Sequence, residues 1–112
     1  MRTPAEAVEA QLDAYNARDL DAFAESYAAD VELSRLPSGQ AFVRSQGELR
    51  ARYGELFRGS PSLHCRLLAR IVNGAFVIDH EEVEGLPGKG TVRAIAIYEV
   101  ADGLIRRGWF PG

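Results

Sequence analysis

The sequence predicts an α+β domain in which three helices from the first half of the chain stack on one face of a curved antiparallel sheet, in the order α-α-β-α-β-β-β-β. Three observations predict it. Apolar residues recur at helical spacing behind two capping signals as far as about residue 57. After "RGSPS" the period becomes strand-like. The strand candidates are then separated by Asn73-Gly74 and Asp102-Gly103, the dipeptides that best suit tight hairpin turns because both central positions of a type I′ turn need positive φ.

The opening "TPAEAVEAQLDAYNARD" carries its own start signal: Thr3 as cap, Pro4 at the first helical position and Glu6 completing a capping box. Val8, Leu12 and Tyr15 follow on one face with Gln11 beside them. "ARD" interrupts, and Asp19 can cap a second short helix with Leu20, Phe23 and Tyr27. "DVELSRLPSGQAFVR" alternates around a Pro-Ser-Gly turn and reads as a short strand and a bent hairpin. Ser45 with Glu48 forms a second capping box, opening a helix whose Leu49, Tyr53 and Leu56 align. Four strand candidates complete the chain: "LHCRLLARIV", "AFVIDHEEVEG", "GTVRAIAIYEV" and "LIRRGWF".

A length of 112 residues suits one domain, 1–112, with a single core. The formal charge of −3, with acids interspersed among the arginines, argues against a nucleic-acid surface. No apolar run is long enough for a membrane span, and "MRTPAEAVEA" lacks the apolar core of a secretory signal. A lone cysteine allows no internal disulfide and fits a reducing cytosol, so a cytoplasmic location is expected. No ligand-spacing motif points to a metal, and neither metal nor cofactor is expected.

The hairpins also set which side chains share a face. A two-residue turn at Asn73-Gly74 places Val72 opposite Ala75, Leu67 opposite His80, Arg66 opposite Glu81 and Cys65 opposite Glu82. Closing "LPGK" with Gly85 opposite Gly90 sets Glu82 against Arg93 and His80 against Ile95. The Asp-Gly turn sets Ile95 near Phe110 and Glu99 opposite Arg106. One face then carries Cys65, Leu67, Ile78, Ile95, Ile97 and Phe110, interrupted at one end by His80, Glu82 and Arg93. Its apolar content marks it as the helix-facing side. The other face carries Arg66, Leu68, Arg70, Asp79 and Glu81 with Ala94, Ala96, Tyr98 and Trp109. Apolar surface laced with complementary charge suits a protein–protein interface, so a homodimer through this outer face is expected. Within "FVIDHEEVEG", Asp79 and Glu81 are expected outward and His80 and Glu82 inward.

"YNARDLDAFAESYAADVEL" resembles the helix-turn-helix-strand opening of the nuclear transport factor 2-like superfamily, in its SnoaL-like and ketosteroid-isomerase-like branch. The closing "DGLIRRGWF" and the order of elements agree along nearly the whole chain. The resemblance implies a cone, formed by a curved sheet wrapped around the helices, with a pocket inside and dimers across the outer face. It does not carry over the isomerase chemistry, which needs a tyrosine and a protonated aspartic acid at the enolate oxygen and an aspartate to move the proton. An ungapped alignment on "ARDLDAF" puts those positions at Gln11, near Ile97 and at Arg35, and none matches; Tyr15 lies one helical turn beyond the first.

The expected protein binds a small organic molecule in an internal, mostly apolar pocket. His80 is the candidate general base, Glu82 its orienter and Arg93 the anion or oxyanion contact, because an imidazole beside a carboxylate can move protons near neutrality. Tyr15, Gln11, Tyr27, Tyr53, Phe57, Ile95 and Phe110 are the candidate pocket wall. A Cys65–His80 nucleophile pair can also be drawn, although a lone cysteine on an apolar strand is more often packing. The enzymatic reading is an isomerase- or cyclase-like proton transfer on a carbonyl compound. The alternative is a non-catalytic ligand-binding or dimerisation domain in which the polar trio is a closed ion-pair cluster.

Overall fold

A computed structural model describes residues 1–112. The chain runs α1 (Pro4–Ala17), α2 (Leu20–Glu25), β1 (Tyr27–Leu36), β2 (Ala41–Val43), α3 (Gln46–Gly59), β3 (His64–Asn73), β4 (Phe76–Glu84), β5 (Val92–Ala101) and β6 (Leu104–Pro111). One six-stranded sheet has the order β2-β1-β6-β5-β4-β3. It is antiparallel except where β1 runs parallel to β6, a pairing that no hairpin signal in the sequence could announce. The expected α+β cone is present, with β1 and β2 as the two arms of the bent hairpin. Tyr27 opens β1 and does not extend α2.

The helices begin where their caps require. The Thr3 hydroxyl accepts from the Glu6 backbone at 3.2 Å, and the Thr3 N–H donates to the Glu6 carboxylate at 2.8 Å. Arg18 ends α1 in the left-handed region at φ 53°, and its guanidinium donates to the Leu63 carbonyl at 2.9 Å. Asp19 caps α2 through the Ala22 N–H at 3.1 Å. At α3 the box is altered: Ser45 accepts from Glu48, but the Glu48 carboxylate takes the N–H of Arg44, one residue before the cap. No helix is long and apolar enough to cross a membrane.

Two side-chain amides fasten helices to strands. Asn16 donates to the Cys65 carbonyl at 2.9 Å and accepts from the Cys65 N–H at 2.8 Å, fixing the end of α1 to the start of β3. Gln46 donates to the carbonyls of Ala24, Tyr27 and Ala28, holding the start of α3 against the α2–β1 junction. Between helices and sheet lies a core that includes Val8, Phe23, Leu33, Leu49, Val77 and Ile105.

In the four-stranded meander the registers are set by the turns and by two bulges. Gly74 and Ala75 form the turn between β3 and β4, with Gly74 at φ 59° and Asn73 opposite Phe76. Ala69 therefore faces His80 and Arg70 faces Asp79; Leu68 is then extra, and Leu67 faces Glu81 while Arg66 faces Glu82. In β4–β5 the expected pairs hold: Glu82 faces Arg93 and His80 faces Ile95. The Asp102-Gly103 turn has both residues at positive φ, as a type I′ turn needs, but a second bulge moves Arg107 opposite Glu99 and Trp109 opposite Ile97.

The grouping of residues within β4 and β5 is thus as expected, but the side is reversed. Val77, Asp79, Glu81, Val83, Ala96 and Tyr98 are buried toward the helices. His80, Glu82, Arg93 and Ile95 stand on the outside. Apolar content misled because the outer face is itself apolar: Ile71, Phe76 and Ile95 are 63%, 44% and 43% exposed.

Candidate functional site

The cone encloses a cavity of about 740 Å³, within the range of small-molecule sites. One wall is aromatic and helical. Phe23 packs between Tyr53 at 4.7 Å, Tyr27 at 5.0 Å and Phe57 at 5.5 Å between ring centres, and Tyr15 meets Phe57 edge-on at 5.6 Å. The opposite wall is a run of rings from the open end inward, Phe42 to Phe110 at 5.7 Å and Phe110 to Tyr98 at 6.0 Å. Gln11 takes the tyrosine hydroxyl of Tyr27 at 3.0 Å, which fixes both in the buried wall.

The polar end is made by the alternate residues of β4. Asp79 is fully buried and receives Arg70 in a two-pronged ion pair at 2.7 and 2.9 Å; the same guanidinium reaches Glu9 on α1 at 2.9 Å. Those bonds, led by the one to Asp79, raise the Arg70 pKa and keep it charged. Asp79 is a satisfied structural anion behind the cavity.

Glu81, one step along the same face, lines the cavity and is 8% exposed. It takes no part in any ion pair of the chain. Burial, seconded by the charge of Asp79, pushes its carboxyl up from 4.5 to about 7, with the Cys65 thiol and Arg70 opposing. Near neutral pH it therefore exchanges readily between acid and carboxylate. Burial keeps the surrounding phenols protonated: Tyr53 is pushed up to about 12, and Tyr15, Tyr27 and Tyr98 are pushed up as well, with the Glu81 charge adding to each. The Cys65 thiol is raised for the same reasons and is no thiolate nucleophile.

Gln11, Tyr15, Tyr27, Tyr53 and Phe110 line the cavity, while Phe57 is buried behind its wall. The other expectations need correction. Glu82 and Arg93 do meet, but outside: Glu82 bonds Arg66 at 2.8 Å and Arg93 at 3.4 Å across the outer face, where His80 stands opposite Ile95 and joins neither pair. Cys65 and His80 lie on opposite faces, because the bulge at Leu68 reverses the phase of β3 between them. Of the residues expected on the outer face, Arg66 and Trp109 are there, Trp109 against Phe76 at 6.4 Å. Arg70, Asp79, Glu81, Ala96 and Tyr98 are instead turned inward with Ala94 on the same strand face, and Leu68 sits in the bulge.

Several cavity residues were absent from the sequence-based set. Arg35, Phe42 and Arg52 stand at its open side, joined by Lys89 of the β4–β5 loop, and Ser60 closes the end of α3. The Ser60 hydroxyl is buried without a hydrogen-bond partner. No periodicity marks Ser60 or Lys89, since both sit outside the helices and strands. Glu81 could have been found by asking which β4 series finds a buried counter-charge: Arg70 can reach Asp79, so the odd series is the one able to go inside.

The sequence matches the SnoaL-like domain over residues 8–108. No curated protein matches it. An uncharacterized cystatin-fold protein from Novosphingobium aromaticivorans superposes with a TM-score of 0.88 at 20% identity, covering 98% of this chain and 98% of that one. An NTF2-like protein of unknown function from Cytophaga hutchinsonii gives 0.81 at 14% identity, covering 98% and 89%. A protein from Sinorhizobium meliloti, described provisionally as a polyketide cyclase, gives 0.78 at 22% identity, covering 93% and 92%. Identities this low speak for the fold alone. With the cone, the order of elements and a domain match along almost its whole length, the chain belongs to the SnoaL-like family of the nuclear transport factor 2-like fold.

Proposed function

We propose that this protein binds a small organic carbonyl compound inside the cone and moves a proton on it, with Glu81 as the proton carrier. The observation behind this is one carboxyl, unpaired and buried in a largely aromatic cavity, whose pKa is raised to about 7. A base poised at neutrality is what abstraction of a proton next to a carbonyl needs. In that step the Glu81 carboxylate takes the proton, the C–H electron pair forms a C=C bond as the C=O π pair moves onto the oxygen to give an enolate, and a protonated tyrosine donates a hydrogen bond to that oxygen. Glu81 then returns the proton to the same or another carbon. The provisional description of the S. meliloti neighbour as a polyketide cyclase supports this reading, polyketides being carbonyl-rich. Glu81 takes the role expected of His80.

The test is hydrogen–deuterium exchange at the carbon beside the carbonyl, followed by NMR in deuterated buffer. A panel of cyclic and aryl ketones is run against wild type, Glu81→Gln and Glu81→Asp. Wild type should accelerate exchange of a ketone that also raises its melting temperature, and Glu81→Gln should abolish the acceleration while still binding. Exchange that ignores Glu81→Gln takes the proton-carrier role away from Glu81, and binding with no exchange in any protein sinks the catalytic reading and leaves a ligand-binding domain.

The outer sheet face supports a homodimer as part of the same reading. Ile71, Phe76 and Ile95 are exposed there among both signs of charge, Arg66, Glu82 and Arg93. A patch carrying both signs can meet a second copy of itself across a two-fold axis. Sedimentation should show a dimer that Ile95→Asp dissociates; a monomer at micromolar concentration excludes it.

A further inference from the structure

The charges of the cavity are sorted along its axis. The inner end holds Glu81 with Asp79 behind it. The open side holds three cations, Arg35 from β1, Arg52 from α3 and Lys89 from the β4–β5 loop, against one acid, Glu55. None of these four takes part in an ion pair, in a chain whose formal charge is −3. Both guanidiniums lie on one ring, Arg35 at 4.3 Å and Arg52 at 4.5 Å from the centre of Phe42. They are therefore at most about 9 Å apart, a separation at which like charges repel unless an anion sits with them. Their field also reaches inward: it pulls down the Tyr53 phenol against the larger effect of burial.

We infer that the ligand of the cone is an organic oxyanion, with its anionic group held by Arg35 and Arg52 at the open side and its carbonyl-bearing body inside. This deepens the proposed function and rests on it for the carbonyl. The reverse orientation would set the anion beside Glu81 and Asp79, where one negative charge already raises the other's proton affinity. Phe42 gives the cations a fixed platform, so they are ordered before the ligand arrives. Phe42 also touches Phe110, which carries an apolar ring of the ligand from the charged opening to the buried wall. The unpartnered hydroxyl of Ser60, 1% exposed on the same cavity, offers a further polar contact to the body of the ligand.

Matched probes separate charge from shape. Calorimetric titration would compare 1-naphthylacetate, cyclohexylacetate and naphthyl phosphate with the primary amides of the two acids, on wild type and on Arg35→Gln/Arg52→Gln. In wild type each carboxylate should bind about tenfold or more tightly than its amide, and the preference should shrink with salt. In the double variant it should fall to near one while the affinity of the amides is unchanged, which shows the cavity intact. Phosphate binding better than both carboxylates identifies a phosphorylated ligand, and the reverse order a carboxylic acid; both support the inference. Equal binding of acid and amide in wild type, a preference that survives the double variant, or no binding by any anion at millimolar concentration overturns it. Glu81→Gln should leave the acid–amide preference in place. Absence of exchange in wild type with a retained preference therefore condemns only the proton-transfer step, and exchange in wild type without the preference only the anion site.

Discussion

Replacing Glu81 by Gln should stabilise the protein, and by an amount that depends on pH. The folded chain holds the Glu81 proton more tightly than the unfolded chain, about 7 against 4.5. Below pH 4.5 the carboxyl is protonated in both states and contributes no difference. As pH rises from there the unfolded chain ionises freely, while the folded chain must keep the proton or bury a charge. Stability is therefore lost progressively and levels off above about pH 7. At about 1.4 kcal/mol per tenfold change in proton affinity, the loss comes to about 3 kcal/mol. Glutamine has nearly the same shape and does not ionise, so the variant escapes this loss. Its amide N–H₂ needs partners in a buried wall, but that cost is the same at every pH. Urea unfolding at pH 4.5 and pH 8 gives both proteins' stabilities, with equal denaturant slopes as the check that the unfolded states match. The variant should gain about 3 kcal/mol on wild type between the two pH values, about 10 °C in melting temperature for a domain of this size. Two curves that stay parallel from pH 4.5 to pH 8 would mean that Glu81 ionises in the fold as it does in the open chain, and the argument for a poised base would fall with it.

Removing the guanidinium in Arg70→Met leaves Asp79 buried without its partner and should cost about 3–5 kcal/mol, most of it recovered in Arg70→Met/Asp79→Leu, as read by thermal and urea unfolding. Gly85→Ala should destabilise strongly in the same assay: Gly85 has φ 83°, and a Cβ there would stand 2.2 Å from the Ser62 carbonyl oxygen, which is backbone and cannot step aside. Asn16→Ala deletes both bonds to the Cys65 backbone and should cost about 1–3 kcal/mol, with faster amide exchange at Cys65 reporting where. His80→Ala, on the outer face, should leave affinity for any cavity ligand unchanged; calorimetry showing a lost ligand would return the histidine to the site.

How much of this was legible in the sequence divides along a physical line. Local signals were reliable: the caps of Thr3 and Asp19 and the Asp102-Gly103 turn depend on neighbours within four residues, and each forms as expected. Pairing across "LPGK" was also legible, because Glu82 against Arg93 and His80 against Ile95 follow from the loop's closure alone. The bulges were not. The extra residues at Leu68 and Arg106 break the period of two, and nothing in "RLLAR" or "LIRRG" announces that one residue goes unpaired. Deciding which face of β4 goes inside was harder still, because both of its series are mixed. His80 and Glu82 accompany Phe76 and Ile78, while Asp79 and Glu81 accompany Val77 and Val83, so hydrophobicity favours the series that the fold leaves outside. The deciding energies are not hydrophobic. Arg70 can reach Asp79 from the neighbouring strand and also Glu9 on α1, so the odd series can be buried with its one full charge paired. Glu82 finds Arg66 and Arg93 only in solvent. What remains inside is Glu81, the one acid of β4 that burial strands without a counter-charge, and that stranding is what gives the cavity its chemistry.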